Sequence, residues 1–173
     1  SQNTTWIGTT YGLHKLVWSN ELNKYEYQHI PNNKEVLDEK KGLPVHDILE
    51  LNDNHLIVAT SGGLYQFNKI TSVFSEIQII FEDTLNAKPL KTSFPSKLSW
   101  GNDGVIWMGT NIGLLKYDTS KQTFKRYKLP EVKGIAGNNR VDVIYLDEKS
   151  RIWVGTHAGI NLFLLKEEKF YPI

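Results

Sequence analysis

The chain has 173 residues, 40% apolar and 23% charged, with 20 basic against 19 acidic side chains and a net charge of +1; this is a globular composition, not that of a disordered chain or a nonspecific nucleic-acid binder. No apolar run approaches the roughly 18 residues of a membrane helix, and no basic patch followed by an apolar stretch opens the chain. Cysteine is absent, which excludes disulfides, thiolate metal sites and a cysteine nucleophile and leaves the compartment open.

Taken in chain order, four segments superimpose: Trp6-Ile7-Gly8-Thr9, Ile57-Val58-Ala59-Thr60, Trp107-Met108-Gly109-Thr110 and Trp153-Val154-Gly155-Thr156. Three residues after each Thr stands a glycine (Gly12, Gly63, Gly113, Gly159), followed by Leu13, Leu64, Leu114 or Ile160. Seven after the Thr come Leu16, Phe67, Tyr117 and Phe163, and fourteen after it Phe74, Phe124 and Phe170. The first copy has Asn23 at that last position and Tyr25 two places on, as if its turn held two extra residues. Twelve before the Thr stand Ile48, Leu98 and Ile144.

The Thr positions are spaced 51, 50 and 46 residues apart. Within each period the pattern is four short strand runs divided by turn chemistry, without helical periodicity. In the last copy the strands run over residues 141–146, 152–156, 160–165 and 169–171, apolar on both faces. A four-stranded unit of this kind must be sandwiched between copies of itself, which makes the fold all-β and the unit a blade of a β-propeller. A β-sandwich would not place Trp, Gly and Thr at the same points every fifty residues. The Gly two places after Trp has room for a neighbouring blade's Trp to lie against it, and the second copy, with Ile57 and Ala59, should pack more loosely.

The stretch I-W-V-G-T-H-A-G-I-N-L-F at 152–163, preceded by N-R-V-D-V-I-Y-L-D at 139–147, resembles the two-component regulator propeller repeat. The resemblance runs through all four copies, departing at Ile57 and Ala59 and at Leu51 and Gly101, which stand where the fourth copy has Asp147. It implies the periplasmic sensor region of a hybrid two-component histidine kinase of Bacteroides-type bacteria, responding to carbohydrate fragments. A membrane helix would join that region to kinase, receiver and DNA-binding parts, none of which this chain carries, so it implies no enzyme here.

The expected blades are residues 1–30, 44–81, 95–129 and 140–173, with no room for an innermost strand in the first, so the chain reads as part of a larger propeller. Its open edges invite a homodimer or other self-association. Contact with a membrane would come only through parts of the parent outside this chain, and no nucleic-acid partner is expected.

Candidate ligand residues lie where the second-to-third-strand turns and the blade links (residues 31–44, 81–95 and 130–140) emerge on one face. The turns offer Tyr11, Ser61, Asn111 and His157, and the entries to the innermost strands offer His46, Lys97, Asn139 and Arg140. Of these Tyr11, His46, Lys97, Asn111, Asn139, Arg140 and His157 form the expected oligosaccharide-binding set. Their hydroxyl, amide and ring groups suit sugar hydroxyls, Tyr11 suits stacking, and Lys97 or Arg140 suits an acidic sugar. Trp6, Trp107 and Trp153 belong to the repeat and read as packing, whereas Trp18 and Trp100 do not recur.

Catalytic signals are thin. The five histidines form no H-x-x-x-H pair, no G-x-S-x-G elbow or phosphate loop occurs, and no catalytic residue, metal site or cofactor is expected. Asp47, Glu50, Asp142 and Asp147 read as solvating carboxylates, with a paired glycosidase role as the alternative. The competing function classes are a propeller that grips another protein and, behind it, a propeller lyase or glycosidase.

Overall fold

The computed structural model describes residues 4–31, 43–84, 95–131 and 139–173. Strands β1 (Thr4–Thr9), β2 (Gly12–Ser19) and β3 (Lys24–His29) form a three-stranded antiparallel sheet. Three four-stranded antiparallel meanders follow: β4 (Val45–Asn52), β5 (His55–Thr60), β6 (Gly63–Asn68) and β7 (Val73–Glu76); then β8 (Pro95–Trp100), β9 (Val105–Thr110), β10 (Gly113–Asp118) and β11 (Thr123–Tyr127); then β12 (Val141–Leu146), β13 (Arg151–Thr156), β14 (Gly159–Leu164) and β15 (Lys169–Pro172). A 3-10 turn, Glu82–Thr84, precedes the third sheet. The chain divides into two compact units, Ser1–Ile77 with the first two sheets and Gln78–Ile173 with the last two. The links expected to carry recognition fall largely outside the described residues.

The repeated threonine and glycine have one local cause. In every sheet the Thr side-chain oxygen accepts the backbone N–H two residues on, from Tyr11, Gly62, Ile112 and Ala158, at 3.0–3.1 Å. The same hydroxyl donates to the carbonyl of Gly12, Gly63, Gly113 or Gly159 at 2.8–3.3 Å. Those glycines have φ between 118° and 136°, a backbone that a side chain strongly disfavours. A two-residue hairpin is thereby closed at both ends.

The glycine two places after Trp also has a steric reason, different from the expected one. In the first unit a Cβ on Gly8 would lie 2.5 Å from Val45 Cγ1, and in the second a Cβ on Gly109 would lie 2.7 Å from Val141 Cγ1. The next sheet's opening valine, not a tryptophan, fills the gap. The indole goes deeper: Trp6 meets Phe67 at 5.3 Å between ring centroids, and Trp107 meets Phe163 at 5.6 Å. Phe67 and Phe163 are fully buried, each adding about 1.5–3 kcal/mol by area removed from water. The looser second copy is not seen, since β5 and β9 share one burial pattern with Ile57 and Ala59 fully buried.

The first sheet departs from the others at its outer hairpin. Phe67, Tyr117 and Phe163 pair with Phe74, Phe124 and Phe170, seven residues on, but Leu16 pairs with Tyr27, and Trp18 pairs with Tyr25 beyond it. The turn itself is unchanged: Asn23, at φ 48°, takes the place of Ser72, Gln122 and Glu168. The extra residues lengthen the strands and leave the turn as it was, because each added pair extends the ladder by two residues.

Gly109→Ala should lower stability by about 1–3 kcal/mol through overpacking against Val141. In chemical denaturation, Val141→Ala added to it should cost less than the sum of the two single changes, whereas strict additivity would mean that the close approach does not matter.

Candidate functional site

At the ends of the sheets where the Thr hairpins turn, each inner strand carries a register irregularity at its second residue: between Val45 and Asp47, between Pro95 and Lys97, and between Val141 and Val143. The bulged residues are His46, Ser96 and Asp142, and a bulge re-aims its side chain. Each stands 15 residues before the first residue of the hairpin turn, Ser61, Asn111 or His157.

In the first unit His46 Nε2 lies 2.9 Å from Ser61 Oγ in an exposed hydrogen bond. In the second unit Asp142 gathers two of the predicted residues: Arg140 Nε donates to Oδ1 at 2.7 Å, and His157 Nε2 lies 3.6 Å from Oδ2. Arg140 and His157 are largely exposed, with 61% and 67% of their side chains accessible. Ser96 turns inward, its hydroxyl donating to the carbonyls of Gly109 and Val141 at 3.0 and 2.7 Å. The third sheet's bulge thus ties two sheets together.

The remaining predicted residues divide. Tyr11 is 75% exposed at the second turn position, matching Gly62, Ile112 and Ala158; the repeat equivalent of Ser61 is Thr10. Lys97 sits one residue past the bulge, opposite Gly109, so it is out of step with His46. Asn111 is exposed in its turn. Asn139 is partly buried and accepts the backbone N–H of Leu129 through Oδ1 at 3.0 Å, which gives it a fastening role in the link. Sequence reading missed Ser96 and Asp142 as repeat-equivalent positions; the constant 15-residue spacing was the signal available.

Asp147 is not a solvating carboxylate. Oδ2 accepts Arg151 Nε at 2.7 Å and Trp153 Nε1 at 3.0 Å, while Oδ1 accepts the backbone N–H of Lys149 and Arg151. The Arg151 hydrogen bond first, with those from Trp153 and the backbone, holds the carboxyl well below its usual range. In the third sheet Gly101 takes this place beside Trp107 Nε1. Glu50 likewise pairs with Lys69.

Two cavities lie away from the bulged and hairpin-turn residues. One, of about 510 Å³ in the first unit, is lined by Trp6, Lys15, Glu50, Asp53 and Lys69. The other, of about 410 Å³ in the second unit, is lined by Phe81, Glu82, Phe124 and Arg126. Among the described residues no group of three or more His, Cys, Asp or Glu could hold a metal, and no helix is long and apolar enough to cross a membrane.

No family model matches the chain. A curated relative, histidine kinase P4 of Formosa agariphila, is 36% identical over 66 residues, which are 37% of this chain and 5% of that protein. The extracellular domain of a hybrid two-component system of B. thetaiotaomicron matches with a TM-score of 0.68 and 23% identity over 97% of this chain and 21% of that one. The WD40 β-propeller domain of Doa1 matches with a TM-score of 0.59 and 13% identity, over 91% of this chain and 45% of that one. The likeness establishes propeller-type blades, and the chain spans about a fifth of the extracellular domain and a twentieth of the kinase.

Asp147→Asn should lower the denaturation midpoint at pH 7. Because the folded-state pKa lies below the ordinary value of 3.8, the carboxylate's contribution is complete well above that pH and fades as pH falls through it toward the folded value. Midpoints measured from pH 7 to pH 2.5 should converge, and a constant gap would show that charge plays no part.

Proposed function

We propose that this chain is part of the extracytoplasmic sensing domain of a two-component signalling protein and that it recognises an oligosaccharide without transforming it. The likeness to an extracellular domain of a hybrid two-component system and to a histidine kinase supports the signalling role. The observation that carries recognition is the bulge-and-turn pair, in which one backbone device presents different polar chemistry in the second and fourth sheets. His46 with Ser61 and Asp142 with His157 and Arg140 are donors and acceptors held on rigid strands.

The pairing of Arg140 supports one ligand class over another. Arg140 alone would favour an acidic sugar, but Asp142 already occupies its guanidinium Nε. The exposed donors and acceptors gathered at Asp142 suit the hydroxyls of a neutral sugar. Ligand contacts that differ between two arrangements of the domain would bias the attached signalling module.

Titration calorimetry with neutral hexasaccharides and with oligouronates of the same length tests the proposal. Neutral sugars should bind, oligouronates should bind no better, and Asp142→Ala with His157→Ala should weaken binding about tenfold, as loss of a charge-assisted hydrogen bond does. Indifference of the wild-type chain to every sugar would overturn it.

A further inference from the structure

The third sheet bonds to the fourth one residue away from the cluster at Asp142. Among the bulged residues, His46 meets Ser61 and Asp142 meets His157, each within its own sheet. Ser96 reaches further. Its partly buried hydroxyl donates to Gly109 O at 3.0 Å in its own sheet and to Val141 O at 2.7 Å in the next. One proton serves both carbonyls, and the nearer belongs to the residue that precedes Asp142.

A bare glycine makes this contact possible. The irregularity between Pro95 and Lys97 leaves Ser96 outside the ladder, beside Gly109. A Cβ on Gly109 would lie 3.2 Å from Ser96 Oγ and 2.7 Å from Val141 Cγ1, so the glycine admits the hydroxyl and the valine together. Val141 is fully buried. A donor lost at its carbonyl is therefore not replaced freely by solvent.

The bond falls where the strand needs it. Val141 pairs with Thr156 and Val143 with Gly155, which leaves Asp142 as the extra residue between them, and an extra residue is without a partner in the ladder. On the opposite strand the turn that carries His157 is closed by Thr156, through Ala158 N and Gly159 O. The Asp142 strand has its own fastening in Ser96. Between these two supports, Asp142 Oδ1 accepts Arg140 Nε at 2.7 Å, and Oδ2 lies 3.6 Å from His157 Nε2. Arg140 and His157 are exposed side chains, so the backbone at Asp142 is the fixed reference of the cluster. Recognition groups lose effect when the residues behind them are left loose.

We infer that Ser96 is a positioning residue for the recognition cluster: its hydroxyl pins the Val141 carbonyl and thereby aims Asp142 at Arg140 and His157. The third sheet thus completes a site carried by the fourth. The inference rests on the reading of that cluster as the recognition site, and by linkage a ligand held at Asp142 strengthens the Ser96 contact by the factor with which Ser96 strengthens the ligand.

The test uses the whole chain, isotopically labelled at arginine and histidine, and its first part needs no sugar. In NMR spectra of Ser96→Ala the Arg140 Nε–H and His157 ring signals should move most of the way to their positions in Asp142→Ala. Ser96→Thr, which keeps the hydroxyl, should bring them back toward the wild-type positions. Trp107→Phe, which weakens the deeper contact between the same two sheets, should lower the denaturation midpoint and leave those signals in place. Should Ser96→Ala not fold, Ser96→Cys, with its weaker donor, takes its place. In calorimetry with the neutral hexasaccharides, Ser96→Ala should raise the dissociation constant about fivefold in the wild-type background and about twofold or less when added to Asp142→Ala. Unmoved signals in Ser96→Ala, or equal movement in Trp107→Phe, would overturn the inference. An unchanged affinity in Ser96→Ala beside Asp142-dependent binding would overturn it too and leave the proposed function standing. Moved signals without binding of any sugar would support the positioning by Ser96 and overturn the proposed function.

Discussion

The hydroxyl of one threonine in each sheet, bonded to the backbone at both ends of a two-residue turn, is the constraint on which the other features depend. With one acceptor contact and one donor contact it closes the hairpin between the second and third strands. The glycine it bonds must hold a positive φ, and the register of the third strand follows from that turn. Once the hairpin is closed, Phe67, Tyr117 and Phe163 fall opposite Leu56, Ile106 and Ile152, on a buried face. Slipping by one residue would turn every one of them outward.

The same turn sets the stage for recognition. The first strand reaches the hairpin end with a bulge at its second residue, bringing that residue beside the turn. The backbone device is constant while the side chains are not: His46 meets Ser61, Asp142 meets His157 and Arg140, and Ser96 turns inward to bond Val141. A stiff scaffold with exchangeable end groups gains polar variety without disturbing the buried contacts of Trp6 on Phe67 or Trp107 on Phe163. Those contacts lie deeper in the sheet and on its faces, whereas the pairs lie at its rim.

The fold was legible because its signals are local and repeated. Thr, Gly and the aliphatic residue after Gly recur at fixed spacing, and each serves a turn only a few residues long. Errors arose where spacing in sequence stopped tracking position in space. Counted from the repeat threonines, Lys97 and Tyr11 stand one place past the equivalents of His46 and Ser61, which are Ser96 and Thr10. The first copy holds four extra residues by register, not the two assigned to its turn, and they belong to its strands, where Val17 pairs with Glu26 and Trp18 with Tyr25. Asp147 looked like surface charge because its partners, Arg151 and Trp153, become neighbours only when β12 and β13 pair.

By itself the sequence determined the strand count per repeat, the turns and which residues are repeat-bound, since those follow from alternation, glycine conformation and a short-range hydroxyl latch. Tertiary structure alone decided what meets the bare glycines and which polar residues gather at Asp142. Each of these depends on pairing between strands or packing between sheets, and neither leaves a mark in the spacing of a single chain.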